Sequence, residues 1–332
     1  MMSQKVVLRA DGNAKIGLGH IVRSLAIASM LKNDFFCEFA IHSPSEHIKK
    51  QLLDVCESVI EIDNVPQAFF DYLTGDEIVI LDGYHFDTNY QKAIKAKGCK
   101  LVCIDDLHDK HFVSDVVINH APGVRIEDYS VETYTQVCLG PDFALLRPSF
   151  LKLAGTERKI NRIDTVFVCF GGADPKNITE VVVKKLLEYS QFTHILVVAG
   201  SAYKGGESLD ILVQDNLDRL TRYNAVDEKT MIKLLQESQL AIVPASGILF
   251  EVLSVKVPVI SGYYIENQQA IYQGFLNQQV IFDAGSFEPT QIDQALRSVF
   301  DADLNEILTR QGLCIDGGSV SRIKETVLNL CI

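Results

Sequence analysis

The chain has 332 residues, 47% hydrophobic and 22% charged, which is enough for about two domains and too apolar for a disordered chain. Lys and Arg number 31 against 43 Asp and Glu, and the net charge of -12 repels a polyanion, so no nucleic-acid partner is expected. A small anion stays open as a ligand, because helix N-termini and backbone amides bind phosphate whatever the overall sign.

Short β-branched runs alternate with amphipathic stretches. In the first half, strands are expected over residues 5–10, 35–41, 77–81, 100–104 and 115–118, with helices between them. A second series follows, with strands at 165–170, 194–199, 221–223, 240–244 and 257–261 and helices at 177–189 and 228–237. Near-continuous apolar strands separated by helices predict an α/β fold of two Rossmann-like, doubly wound domains. They are expected to face each other across a cleft. The polar run 151–163, carrying Gly155, Thr156, Glu157, Arg158 and Lys159, reads as the linker. The boundary is therefore set at an N-terminal domain 1–155 and a C-terminal domain 156–332, whose tail from Pro289 looks helical.

No apolar run approaches the roughly 20 residues of a membrane-spanning helix, so no stable membrane insertion is expected. Eight scattered cysteines with no CxxC pair and no secretory signal read as mostly buried, reduced thiols in a cytoplasmic protein. Oligomeric state is not legible.

Ligands of such sheets bind at the carboxyl ends of the strands, so the residues that follow strands carry the information. After the first strand, a loop with Gly17 and Gly19 leads to His20 at a helix start. The positive end of the helix dipole disfavours imidazolium, which keeps the ring neutral and suited to a general base. A local packing role is the other reading. Arg23, one turn on, is either a solvated helix charge or an anion ligand. Gly171 and Gly172 follow a strand and let backbone amides approach a diphosphate, unless they only form a strand-to-helix turn. Ser246 and Gly247 repeat that arrangement. Glu251, one turn into the next helix, either accepts ribose hydroxyls or is an exposed helix carboxylate. Asn267 and Gln268 suit sugar hydroxyls or an N-acetyl group, although amides near turns are often structural. Tyr84 is either a core aromatic or a sugar contact. Asp105, Asp106, His108, Asp109 and His111 form a cluster, but consecutive loop residues point different ways and no metal site is assigned.

The run from Arg9 through Gly17-Leu18-Gly19-His20-Ile21-Val22-Arg23-Ser24 resembles the opening of the UDP-2,4-diacetamido-2,4,6-trideoxy-β-L-altropyranose hydrolases of pseudaminic acid biosynthesis. Leu81-Asp82-Gly83-Tyr84, Ile104-Asp105-Asp106, Leu139 to Arg147, Phe170 to Asp174, Ser246 to Glu251 and Glu266-Asn267-Gln268 resemble that family's later motifs in the same order. Gly83, His85 and a longer C-terminal stretch depart from the pattern. The resemblance implies a GT-B-like fold related to two-domain nucleotide-sugar glycosyltransferases and a UDP-linked amino sugar as substrate. It also implies His20 as the catalytic residue and no cofactor. Gly17, Gly19, Arg23, Tyr84, Gly171, Gly172, Ser246, Gly247, Glu251, Asn267 and Gln268 are the implied substrate-binding residues. The expected reaction is hydrolysis to UDP and free sugar with inversion, as a step toward a nonulosonic acid. The alternatives are a glycosyltransferase of the same architecture, a hydrolysing 2-epimerase and a noncatalytic nucleotide-sugar sensor.

Overall fold

The apolar runs form two parallel sheets with nearly unbroken burial along their central strands, such as Val6 to Ala10 and Leu240 to Pro244. The computed structural model describes residues 4–12, 18–63, 65–200, 202–203 and 205–331. The chain divides into two units: one comprises residues 1–149 and 318–332, the other residues 150–317.

In the first unit, strands β1 (Lys5–Ala10), β2 (Phe36–His42), β3 (Ser58–Ile62), β4 (Ile78–Asp82) and β5 (Lys100–Ile104) alternate with helices α1 (Gly19–Leu31), α2 (Glu46–Leu53), α3 (Pro66–Tyr72) and α4 (Thr88–Ala96). Strands β6 (His111–Phe112), β7 (Val116–Asn119), β8 (Ser130–Val131) and β9 (Gln136–Leu139) follow. The main sheet has the order β3-β2-β1-β4-β5-β7-β9, and all its pairings are parallel. Strand β1 pairs on one side with β2 and on the other with β4, so the chain reverses its direction of travel there. That point is where doubly wound sheets leave room for a ligand.

Helix α5 (Pro148–Ala154) crosses the unit boundary, and the second unit then holds β10 (Thr165–Val168), α6 (Ile178–Leu187), β11 (His194–Ala199), α7 (Gly206–Asp215), β12 (Leu220–Asn224) and α8 (Glu228–Glu237). It continues with β13 (Leu240–Pro244), α9 (Gly247–Ser254), β14 (Val259–Gly262), α10 (Gln269–Asn277), β15 (Phe282–Asp283), α11 (Pro289–Asp301) and α12 (Leu304–Cys314). Its sheet runs β12-β11-β10-β13-β14-β15, again all parallel, with the reversal at β10 between β11 and β13. The core of this unit is one apolar cluster that includes Phe170, Phe192, Phe287, Leu296 and Val299.

The domain division differs from the expected one in two places. The last helix, α13 (Ser319–Leu328), belongs to the first unit and not to a domain 156–332. It is tied there by Lys324 to Asp34 at 2.7 Å, by Arg322 to the Asp142 carbonyl at 3.1 Å, and by Thr326 beside the buried Cys138 thiol. Also, the supposed linker begins inside α5, whose Phe150, Leu151 and Ala154 are buried. Strands β3, β6, β8, β9 and β15 lie outside the expected strand runs. β3 is only partly buried, and β15 has two residues, so neither carries a long apolar run.

All eight cysteines are free, and six are buried. No helix of the described residues is long and apolar enough to cross a membrane.

Candidate functional site

The carboxyl rim of the first sheet gathers a set of buried ionisable side chains at the β1/β4 reversal. His20 lies in the first turn of α1, directly after the loop leaving β1, and is 7% exposed. Asp82 ends β4, the neighbour of β1, and is fully buried. The two meet with His20 Nδ1 2.7 Å from Asp82 Oδ1.

Arg23, one turn after His20, reaches the same carboxylate, donating from Nε to Oδ2 at 2.6 Å and from Nη2 to Oδ1 at 2.7 Å. Its Nη1 donates to Asp106 Oδ2 at 2.8 Å. Arg23 is thus neither a solvated helix charge nor an uncommitted anion ligand: it binds two carboxylates in a bidentate and bridging fashion.

Burial acts to raise the Asp82 carboxyl, but the charge of Arg23 and the hydrogen bonds from His20 and Arg23 override it and hold the group below the usual carboxylate range. Arg23 Nη2 also lies 3.1 Å from His20 Nδ1, but the Asp82 contact is shorter, and because an ionised carboxylate only accepts, it assigns the proton to Nδ1 and leaves Nε2 as the acceptor nitrogen. The local-packing reading of His20 therefore gives way to an oriented imidazole.

Tyr84, two residues past β4, is 42% exposed and not a core aromatic. Its ring stands edge-on to His20 with centroids 4.7 Å apart, and its hydroxyl donates to Asp106 Oδ2 at 3.1 Å. His120, just beyond β7, is buried and accepts the Leu145 N–H on Nδ1 at 3.2 Å. Burial, with the charge of Arg23 adding to it, pushes His120 down to about 3, so this imidazole is neutral and carries its proton on Nε2. Gly19 opens α1 with open space where a side chain would stand, whereas Gly17 lies outside the described residues.

The acidic and histidine cluster after β5 does not converge on one point. Asp105 Oδ2 accepts the His108 N–H at 2.7 Å, the Leu107 N–H at 3.2 Å and the Tyr129 hydroxyl at 2.9 Å, and so ties down its own turn. His111 turns to Ser130 at 2.8 Å and Glu132 at 3.1 Å. Among the described residues, no group of three or more His, Cys, Asp or Glu is placed to hold a metal ion.

In the second unit, the reversal at β10 carries turns of small residues. Gly171, exposed after β10, has φ +78°, a conformation that glycine adopts freely. Gly200, after β11, passes so close that a Cβ there would lie 2.4 Å from Gly172 Cα, so only glycine lets the two strand ends pack together. Asp174 caps α6, accepting the Ile178 N–H at 2.9 Å and the Thr179 N–H at 2.8 Å.

After β13, Ser246 occupies the N-cap of α9 with no side-chain cap bond, and Gly247 is exposed with open space at its Cβ position. The first-turn amides of α9 and the Gly171-Gly172 turn thus stand at the carboxyl ends of adjacent strands. Glu251 is 9% exposed, which removes the reading of it as an exposed helix carboxylate. Asn267 is exposed, while Gln268 is buried and accepts the Tyr264 N–H at 3.1 Å, so its carbonyl holds the turn.

Asp82 and Asp106 sit in the motifs Leu81-Asp82-Gly83-Tyr84 and Ile104-Asp105-Asp106, but nothing local in the sequence pairs either of them with His20. The available signal was positional: each closes or follows a strand that returns to the rim on which α1 begins.

No family model matches the chain. Among curated proteins, it is 25% identical to an uncharacterized protein of Methanocaldococcus jannaschii over 82% of the chain, and this match spans 58% of that protein's length. It is 27% identical to the UDP-2,4-diacetamido-2,4,6-trideoxy-beta-L-altropyranose hydrolase of Campylobacter jejuni, covering 80% of the chain and 94% of that enzyme. It is also 27% identical to the spore coat polysaccharide biosynthesis protein SpsG of Bacillus subtilis, covering 97% of both.

Of solved structures, MurG of Acinetobacter baumannii matches with a TM-score of 0.66 at 13% identity, over 98% of the chain and 99% of that protein. A UDP-glucosyltransferase of Polygonum tinctorium matches with a TM-score of 0.67 at 13% identity, over 100% and 99%. These two share the fold. The resemblance read from the ordered motifs therefore stands: the chain is a relative of the altropyranose hydrolase and of SpsG, built from the two Rossmann-like units of the GT-B glycosyltransferase fold.

Proposed function

We propose that the protein hydrolyses a UDP-linked 2,4-diacetamido-2,4,6-trideoxyhexose to UDP and free sugar, with inversion at the anomeric carbon, on the way to a nonulosonic acid. The observation that carries this reading is the 2.7 Å bond from His20 Nδ1 to the buried Asp82 at the reversal of the first sheet. It orients the ring and directs its basic Nε2 to a water molecule. Asp82 stabilises the imidazolium that forms as the water loses its proton to Nε2. Tyr84 flanks the ring and serves the sugar.

In the second unit, the Gly171-Gly172 turn and the first turn of α9 bind the diphosphate through backbone amides, Glu251 takes the ribose hydroxyls, and Asn267 supports the sugar. Charge developing on the departing UDP is met by these amides, so the reaction needs no strong general acid. Water enters opposite the leaving phosphate in a single displacement, and the anomeric configuration inverts. The similarity to the Campylobacter hydrolase supports the substrate class.

The test is a panel of UDP-diacetamido-trideoxyhexoses supplied without any acceptor, followed by rapid NMR of the released sugar. Release of free sugar with inverted configuration is expected. Retention rejects the direct displacement, and turnover only when an acceptor sugar is added identifies a glycosyltransferase. Deuterium incorporated at C2 from heavy water identifies a hydrolysing epimerase, and UDP binding with no turnover across the panel identifies a sensor.

A further inference from the structure

The contacts around His20 close into a ring. His20 meets Asp82, Asp82 holds Arg23, Arg23 Nη1 passes to Asp106 Oδ2 at 2.8 Å, Tyr84 donates to that same oxygen at 3.1 Å, and the Tyr84 ring returns edge-on to His20 at 4.7 Å. Arg23 and Asp106 are the members to which the hydrolytic reading gives no role.

Charge balance suggests what Asp106 does. Arg23 bound to Asp82 alone makes a neutral pair, and a carboxylate neutralised in this way does little for a proton arriving on the neighbouring imidazole. Asp106 adds a second negative charge through the same guanidinium, so the ring among the described residues contains two carboxylates and one cation. The other ionisable groups nearby are occupied or uncharged. On β1 and its loop, Arg9 and Asp11 pair at 2.6 Å, with His85 on Asp11 at 3.2 Å. After β5, Asp105 is bonded to its own turn, and Lys110 binds the Tyr84 carbonyl at 3.2 Å and Asp109 at 3.5 Å. After β7, His120 accepts the Leu145 amide.

A second observation concerns Asp106 itself. Its Oδ1 is buried with no hydrogen-bond partner, so one oxygen of this carboxylate is free of the bonds that tie Oδ2 to Arg23 and Tyr84.

We propose that Asp106 is a positioning residue: through Arg23 and Tyr84 it holds both neighbours of the His20 ring, and its charge leaves the assembly net negative so that a proton taken by His20 is stabilised. The inference rests on the hydrolytic reading for its consequence in turnover but not for the charge coupling itself.

Asp106→Asn keeps the shape and an acceptor for Arg23 and Tyr84 but removes the charge. With the full-length protein, kcat is expected to fall ~10-fold or more while KM and UDP affinity stay within about 2-fold, and the acid limb of the pH–rate profile moves to lower pH. Imidazole NMR without substrate should show proton uptake by His20 moving the same way. Asp106→Glu, which keeps the charge and serves if the amide variant fails to fold, should retain the parent limb. Tyr84→Phe loses one bond but no charge, and its limb should also stay in place.

An unmoved limb together with unmoved His20 uptake in Asp106→Asn overturns the proposal, as does a rise in KM with kcat unchanged or an equal displacement in Tyr84→Phe. If the parent protein hydrolyses no UDP-sugar yet His20 uptake moves in Asp106→Asn, the hydrolytic reading fails and the positioning role of Asp106 stands.

Discussion

The two sheet reversals share one topology and are furnished in opposite ways. At β1 and β4, the rim is filled with ionisable side chains that bind one another: His20, Arg23, Asp82 and Asp106. At β10 and β13, it carries Gly171, Gly172, Ser246 and Gly247, and the space where side chains would stand at the three glycines is open. A parallel sheet with its strand ends at a helix start provides a place for a ligand in both units, but only side chains with titratable protons can perform bond-breaking chemistry there. Bare amides instead suit a ligand whose charge is already formed, such as a diphosphate. The contrast fits the proposed division, with proton transfer in the first unit and anchoring in the second.

That division breaks most visibly at His20. His20→Ala is expected to lower turnover by ~10²-fold or more while leaving UDP affinity, measured by calorimetry, nearly unchanged. An equal loss in both would merge the two roles. Asp82→Ala should fail differently. Removing a fully buried carboxylate leaves the Arg23 guanidinium with one of its two anions gone, and breaking such a pair costs about 3–5 kcal/mol, to be read from urea unfolding. Loss of activity without loss of stability would mean that Arg23 finds another partner.

The opposite outcome is expected at Gly172. The position is exposed and a Cβ there meets nothing within 4 Å, so Gly172→Ala should fold with the parent's stability. A methyl group between the backbone and a diphosphate should weaken UDP binding ~10-fold, about 1.4 kcal/mol, with kcat little changed. Unchanged UDP affinity would remove this turn from the anion site.

The strands that carry these sites were legible because central parallel strands are apolar on both faces: β1, β5, β11 and β13 follow directly from their runs. Position along the chain also singles out His20 as a candidate, since a histidine after a glycine loop at a helix start is a local pattern. What local patterns did not give was pairing across the sheet. Asp82 lies 62 positions from His20 and Asp106 lies 83 from Arg23, and only the strand order β1-β4-β5 brings them together. Arg23 reads as either a solvated charge or an anion ligand for the same reason. The last helix escaped the two-domain division because what assigns it to the first unit is contact with residues such as Asp34 and Asp142, far earlier in the chain.

The smallest effect at neutral pH concerns His120. This imidazole is buried and neutral in the fold, pushed down to about 3 from an ordinary value of 6.5. Below 6.5 the unfolded chain takes up a proton there that the folded protein refuses until about pH 3, so the unfolded state holds more protons in that window. Stability therefore rises with pH from about 3 to 6.5, and the contribution is complete above 6.5. His120→Asn retains an acceptor for the Leu145 amide but no titrating ring, and it should flatten the pH dependence of unfolding by about one proton across that window while changing stability little at pH 8. The fluorescence of the 11 tyrosines reports the transition, since the chain contains no tryptophan. An unaltered slope would show that His120 is free to take its proton in the folded state. It would then add a positive charge to the rim that holds Arg23 and weaken the case for a first unit built around a single proton acceptor.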